Sequence, residues 1–184
     1  MLVLASKSPR RAEILRAAGL PFVVRPADVH ERRRAGESPV DYARRLALDK
    51  AAAVEMAAGD VVLGADTIVV VDDVVLEKPS DAADARRMLE LLSGRAHEVI
   101  TGICLRSGVR SVVDAAVTRV VFSALTPADI DDHVASGEPM DKAGAYAIQG
   151  LASKFIERID GDYCNVVGLP VSLVCRHLKQ FGGG

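Results

Sequence analysis

Short runs of apolar, β-branched residues alternate along the chain with longer segments whose apolar positions recur at helical spacing, the pattern of an α/β protein. Leu2-Val3-Leu4-Ala5 reads as a short buried strand. Ser8 as N-cap and Pro9 at the first helical position then open a helix that stops at Gly19. Phe22-Val23-Val24 reads as a second strand ended by Pro26. Ser38-Pro39 repeats the helix-start signal for a long amphipathic helix through Tyr42, Leu46 and Val54. Val61 to Val71 is an apolar strand, and a turn at Asp72-Asp73 pairs it with Val74-Val75-Leu76. Ser80 is expected to cap a helix through Met88, Leu89 and Leu92.

His97 to Leu105 and Val109 to Phe122 form an antiparallel hairpin about Ser107-Gly108. The second strand carries Val113, Ala115, Val117 and Val121 on one face and Asp114 and Thr118 on the other. Thr126-Pro127 starts a further helix that ends near Gly137. Residues 137–150, with Lys142, Tyr146 and Gln149, are expected to be a loop of the kind that lines a site. Phe155-Ile156 reads as a short strand, Asp160-Gly161-Asp162 as a turn, and 166–178 as one closing helix interrupted early by Pro170. The expected fold is a single α/β domain over residues 1–181. It has a mixed, partly antiparallel twisted sheet flanked by helices, in two lobes around a central cleft, followed by a disordered glycine tail at 182–184.

Composition narrows the function classes. The hydrophobic fraction is 49%, aromatics are 4%, and there is no Trp, so Ala and Val supply the bulk of thin, close-packed layers. A net charge of −2 gives no global field for a nucleic-acid polymer or an anionic membrane. Cys104, Cys164 and Cys175 are widely spaced in apolar sequence with no zinc-type spacing, which suits buried, reduced thiols. No apolar run approaches membrane-spanning length. The expectation is a soluble, cytoplasmic protein.

The candidate chemistry lies in a few places. Asp66 is a lone carboxylate inside an apolar strand, a costly position unless it has a partner. Ser6, Ser8, Arg10 and Arg11 gather hydroxyls, helix-terminal amides and guanidinium groups at one helix start. Two readings stand side by side there, a capped helix with solvated arginines and an anion site. Asp28 and Glu31 supply carboxylates of the kind Mg²⁺ uses together with substrate oxygens. Lys50 lies near the apolar face of its helix, where its stem could snorkel or its amine enter a cleft. Lys78 sits beside another helix start. The chain has no GxxxxGK[ST], GxGxxG, GxSxG or HExxH pattern, so P-loop, Rossmann, serine-hydrolase and zincin chemistries lack support.

Several segments together resemble the Maf-like nucleoside triphosphate pyrophosphatases, also called septum formation inhibitor proteins. They are Ser6-Lys7-Ser8-Pro9-Arg10-Arg11, Gly64-Ala65-Asp66-Thr67, Glu77-Lys78-Pro79, Ser93-Gly94-Arg95-Ala96-His97, Ser136-Gly137-Glu138-Pro139, 141–146, Ile148-Gln149-Gly150, Gly161-Asp162-Tyr163 and Val167-Gly168-Leu169-Pro170. The resemblance covers nearly the whole chain in family order and implies a Maf/ITPase-like fold. It also implies metal-dependent hydrolysis of a nucleoside triphosphate between the α and β phosphates. Asp66 matches the family's proton acceptor, and Arg11, Thr67 and Gln149 match positions tied to substrate choice. The forms found here are similar to the dTTP/UTP branch. Ser6, Ser8, Arg10, Lys50 and Lys78 are expected on the triphosphate, and Glu31 and Asp66 on Mg²⁺ or Mn²⁺. A homodimer is a further expectation. The rivals are a pyrophosphatase for modified purine or methylated nucleotides and a non-catalytic, division-inhibiting binding protein.

Overall fold

A computed structural model describes residues 1–182; of the tail expected at 182–184, Gly183 and Gly184 lie outside the described residues. Seven strands, β1 (Leu2–Leu4), β2 (Phe22–Val24), β3 (Val61–Val71), β4 (Val74–Leu76), β5 (Ala96–Ser107), β6 (Arg110–Phe122) and β7 (Ile156–Asp160), form one mixed sheet. The strand order is β2-β1-β3-β5-β6-β7, with β4 paired to β3. β1 runs parallel to both β2 and β3, whereas β3/β4 and β6/β7 are antiparallel. Among the described residues, six α-helices accompany the sheet: α1 (Pro9–Ala17), α2 (Pro39–Ala52), α3 (Ala82–Leu92), α4 (Pro127–Ala135), α5 (Tyr163–Val167) and α6 (Val171–Leu178). The expected α/β class with a mixed sheet is met.

The chain divides into two compact units. The first comprises Met1–Thr67, Thr101–Ala116 and the chain from Gly168 onward. One cluster of its core is built from small residues, with Val3, Ala5, Ala47, Ala51, Val62 and Cys104 buried together, while Leu4, Leu15, Tyr42 and Leu46 are buried elsewhere in the unit. A Cβ at Gly64 would lie 2.1 Å from the Ala47 carbonyl oxygen, and one at Gly102 2.2 Å from that of Ala43. Only glycine therefore lets α2 lie this close to β3 and β5. α2 opens as expected, with Ser38 Oγ accepting the Asp41 N–H at 3.1 Å and Pro39 in its first turn.

The second unit comprises Ile68–Ile100 and Val117–Val167. Leu76, Met88, Leu89, Phe122, Tyr146 and Phe155 are buried together in it. Several local expectations change here. Asp81, not Ser80, caps α3: its carboxylate accepts the Asp84 N–H at 2.8 Å, while the Ser80 N–H donates to Asp84 at 3.1 Å. Residues 137–150 are folded through 3₁₀ turns at Glu138–Asp141 and Ala143–Ala145, and a third turn, Leu151–Phe155, precedes β7. Tyr146 lies in the core, which the expected site-lining loop did not anticipate, and Lys142 Nζ donates to the Glu138 carbonyl at 2.7 Å.

The expected single closing helix is two, α5 and α6, because Pro170 stands as the N-cap of the second. The alternation of β6 is inverted relative to its polarity: Val113 and Val117 are exposed, whereas Thr118 is fully buried. Thr118 Oγ1 accepts from the Asp162 N–H at 3.0 Å and from Asn165 Nδ2 at 2.9 Å, which compensates its burial. All three cysteines are free thiols, but only Cys104 is buried.

Candidate active site

The first unit assembles most of the expected site residues on three elements. The Ala5 N–H donates to the Leu63 carbonyl at 2.8 Å, extending the β1/β3 ladder, and the chain then turns through Ser6-Lys7-Ser8 into α1. Ser8 occupies the N-cap but its side chain makes no cap bond. Its N–H donates instead to Ser6 Oγ at 3.2 Å. The start of α1 thus lacks the hydroxyl cap the sequence suggested.

The two arginines there part company. Arg10 is half-buried, while Arg11 turns inward and is buried. Arg11 donates four hydrogen bonds: Nε to the Gly168 carbonyl (2.8 Å), Nη1 to Ser6 Oγ (3.0 Å) and to the Ala65 carbonyl (2.8 Å), and Nη2 to Thr67 Oγ1 (3.0 Å). Thr67 Oγ1 also pairs with Thr101 Oγ1 at 2.9 Å. Gly168 takes part through a φ of 131°, a backbone state that side chains rarely adopt. Arg11 and Thr67, both expected to govern substrate choice, are therefore bonded to each other, and Arg11 grips the backbone just before Asp66. Burial lowers the Arg11 pKa from its ordinary value, and the negative charge of Asp66 opposes that shift.

Successive side chains of a strand point to opposite faces, so Asp66 shares the face of Gly64, against which α2 packs. Lys50 reaches across from the last turn of α2, and its Nζ lies 2.6 Å from Asp66 Oδ1 and 2.6 Å from Glu31 Oε1. Glu31 comes from the stretch between β2 and α2, with its side chain 42% exposed, against 9% for that of Asp66. Burial raises the Asp66 carboxyl above the usual carboxylate range; the neighbouring Lys50 and Arg11 charges pull it back down. Asp28 lies apart from this cluster, exposed, with Lys7 Nζ 3.8 Å from its carboxylate.

Among the described residues, no group of three or more His, Cys, Asp or Glu side chains could hold a metal by itself. Glu31 and Asp66 nonetheless share one cation, the Lys50 ammonium. Two carboxylates that converge on a single positive charge suit Mg²⁺ or Mn²⁺, which takes its remaining ligands from substrate oxygens and water.

Lys78 and Gln149 belong to the second unit, and both are exposed. The Gly144 N–H donates to the Glu77 carbonyl beside Lys78 at 3.1 Å. Glu138 braces the turn that carries Gln149: its Oε2 accepts the Leu151 N–H at 2.9 Å, and a Cβ on Gly150 would meet its Oε1 at 2.1 Å. Thr101 and Gly168 are participants that the sequence reading passed over. Their signals were a polar residue inside the apolar run of β5 and a glycine between Val167 and Leu169.

The fold defines the class first. A HAM1 protein from Coxiella burnetii superposes with a TM-score of 0.53 at 16% identity, over 97% of this chain and 98% of that one, which places the chain in that α/β architecture. The chain belongs to the family described as Maf-like protein, whose pattern matches residues 1–181. It is 53% identical over 182 residues to the dTTP/UTP pyrophosphatase of Koribacter versatilis, covering 98% of this chain and 94% of that one. The dTTP/UTP pyrophosphatase of Bacillus cytotoxicus is 50% identical over 183 residues, with 99% and 96% covered. The family resemblance drawn from the motifs is met.

Proposed function

We propose that this protein is a nucleoside triphosphate pyrophosphatase that hydrolyses dTTP and UTP between the α and β phosphates. The products are the nucleoside monophosphate and pyrophosphate. The observation that carries this reading is the Lys50 ammonium held 2.6 Å from both Asp66 and Glu31 in a chain half identical to proteins named for that activity. In the reaction a water oxygen bonds to the α phosphorus. The bond from that phosphorus to the bridging oxygen breaks, and its electron pair leaves with pyrophosphate.

Asp66 accepts the proton of the attacking water. Burial raises its pKa, which makes it a stronger base than an ordinary aspartate. Arg11 fixes the backbone around it through Ala65 and Thr67. Ser6, Ser8, Arg10, Lys50 and Lys78 bind the triphosphate. Glu31 and Asp66 would hold a divalent cation, which would supply charge neutralisation for the departing phosphates. The exposed Gln149 amide offers both a donor and an acceptor, the complement of O4 and N3–H of uracil or thymine.

A panel of canonical and modified nucleoside triphosphates, assayed with Mg²⁺ or Mn²⁺ for pyrophosphate against orthophosphate, tests the reading. Pyrophosphate chiefly from dTTP and UTP is the expected result. Orthophosphate as the product contradicts the cleavage position, and preference for a modified purine nucleotide overturns the substrate assignment. Gln149→Ala should narrow the gap in kcat/KM between UTP and CTP about 10-fold, the scale of losing one recognition bond; an unchanged ratio removes Gln149 from base recognition.

A further inference from the structure

Residues 25–38, between β2 and α2, form neither helix nor strand, yet this stretch must deliver Glu31 to Lys50. A loop of that length loses much conformational entropy when one side chain is fixed, so something other than the Glu31–Lys50 contact has to order it. Arg45, on α2 five residues before Lys50, meets that need. Its Nε and Nη2 donate to the two carboxylate oxygens of Glu37 at 2.6 and 2.9 Å. Nη2 also donates to the carbonyl of Arg32, the residue directly after Glu31, at 2.9 Å. Nη1 reaches Asp49 Oδ2 at 3.2 Å, and the guanidinium lies over the Tyr42 ring, 5.4 Å from its centroid.

Glu37 in turn gathers the loop. Its Oε2 accepts the Arg34 N–H at 3.0 Å, and its carbonyl accepts Arg33 Nε at 2.9 Å. The side chains of Arg45 and Glu37 are only 15% and 10% exposed, unlike the solvated ion pairs of a protein surface. The hydrogen bonds from Arg45 hold the Glu37 carboxyl down to about 2, so the pair stays charged throughout the working pH range.

We propose that Arg45 and Glu37 are positioning residues: a clasp that holds the backbone at Arg32 and so sets Glu31 beside Asp66 for the divalent cation. The proposal rests on the reading that Glu31 helps to hold that cation. The planar guanidinium is required, because the bidentate grip on Glu37 and the bond to the Arg32 carbonyl are made at once by one rigid fork. A lysine ammonium cannot reproduce both.

The test compares the wild type with Arg45→Lys, Glu37→Gln and Glu31→Gln. Mn²⁺ binding is followed by electron paramagnetic resonance in the presence of α,β-methylene-UTP, and amide hydrogen exchange of residues 29–36 is followed in the metal-free protein. Arg45→Lys and Glu37→Gln should weaken Mn²⁺ binding about 10-fold, the scale for losing a residue that orients a ligand. Both should speed exchange at Arg32 and Arg34 while the exchange of α2 stays slow. At saturating Mn²⁺ their kcat should return to near the wild-type value. Adding Arg45→Lys to Glu31→Gln should weaken binding no further. Loss of affinity in Glu31→Gln without loss in Arg45→Lys and Glu37→Gln overturns the clasp alone. Wild-type affinity in Glu31→Gln overturns the cation role of Glu31, and the proposal with it.

Discussion

The first unit buries Asp66 and Arg11 as an ion cluster, with the Lys50 ammonium 2.6 Å from Asp66 and from Glu31. The second buries His97, His133 and Tyr146 as neutral groups. His97 Nε2 pairs with Tyr146 Oη at 2.7 Å, and its ring stands edge-on to Phe122 at 5.0 Å. Burial pushes its pKa down to about 4. Burial likewise raises the Tyr146 phenol and lowers His133. The two regions show what decides whether a buried ionisable group keeps its charge. Where an opposite charge stands within hydrogen-bond distance, as Lys50 does beside Asp66, it opposes the penalty that burial places on the ionic form. Where burial acts without such a partner, as at His97 and Tyr146, the neutral form is favoured and the group serves packing.

The largest effect expected from breaking this contrast is on turnover. Asp66→Asn keeps shape and removes the proposed base, and kcat should fall about 1,000-fold, within the range for general bases, while the circular dichroism spectrum is unchanged. Near-normal kcat in that variant removes Asp66 from the chemistry. In the wild type, the acid limb of kcat/KM should lie above the ordinary aspartate pKa, because burial has raised that of Asp66.

Next in size is the loss of the counter-charge. Lys50→Met leaves the Asp66 carboxylate without its nearest cation and should cost about 3 kcal/mol in urea unfolding at pH 8. The sign follows from linkage. Asp66 has a folded pKa above its unfolded value, so the penalty is present above the folded pKa and shrinks as pH falls toward the unfolded one. A penalty that does not shrink on acidification would mean that Lys50 acts through packing.

The smallest effect belongs to the neutral side. His97 has a folded pKa of about 4, below its unfolded value, so the unfolded chain binds the extra proton. Wild-type stability should therefore drop by about 2 kcal/mol between pH 8 and pH 5 from this group. His97→Phe should remove that part of the slope, whatever it does to stability at pH 8. An unchanged slope would place the titration elsewhere.

Much of this was legible in the chain. Ser38-Pro39 and Thr126-Pro127 open helices as their spacing predicts, since caps act over three residues and need no tertiary partner. Asp66 stood out because a carboxylate among β-branched residues is costly without a counter-charge. Other features were hidden for physical reasons. The buried face of β6 could not be read from polarity, because Asn165 and Asp162, over forty residues away in sequence, satisfy Thr118. Asp81 displaced Ser80 as cap of α3 because its carboxylate reaches the Asp84 N–H. The sequence left Arg11 between a solvated arginine and an anion ligand, since nothing local reveals that the carbonyls of Ala65 and Gly168 wait for it.

By itself, then, the sequence determined the α/β alternation, the capped helix starts, the family and the strand that carries Asp66. Those features depend on local backbone preference and on hydrophobic period, which act within a few residues. Only the tertiary structure decided that Lys50 stands between Asp66 and Glu31, that Arg11 turns inward, and that Arg45 holds the stretch bearing Glu31. Long side chains choose among many rotamers of similar energy, and the choice is made by whichever distant charge or carbonyl the fold brings within about 3 Å.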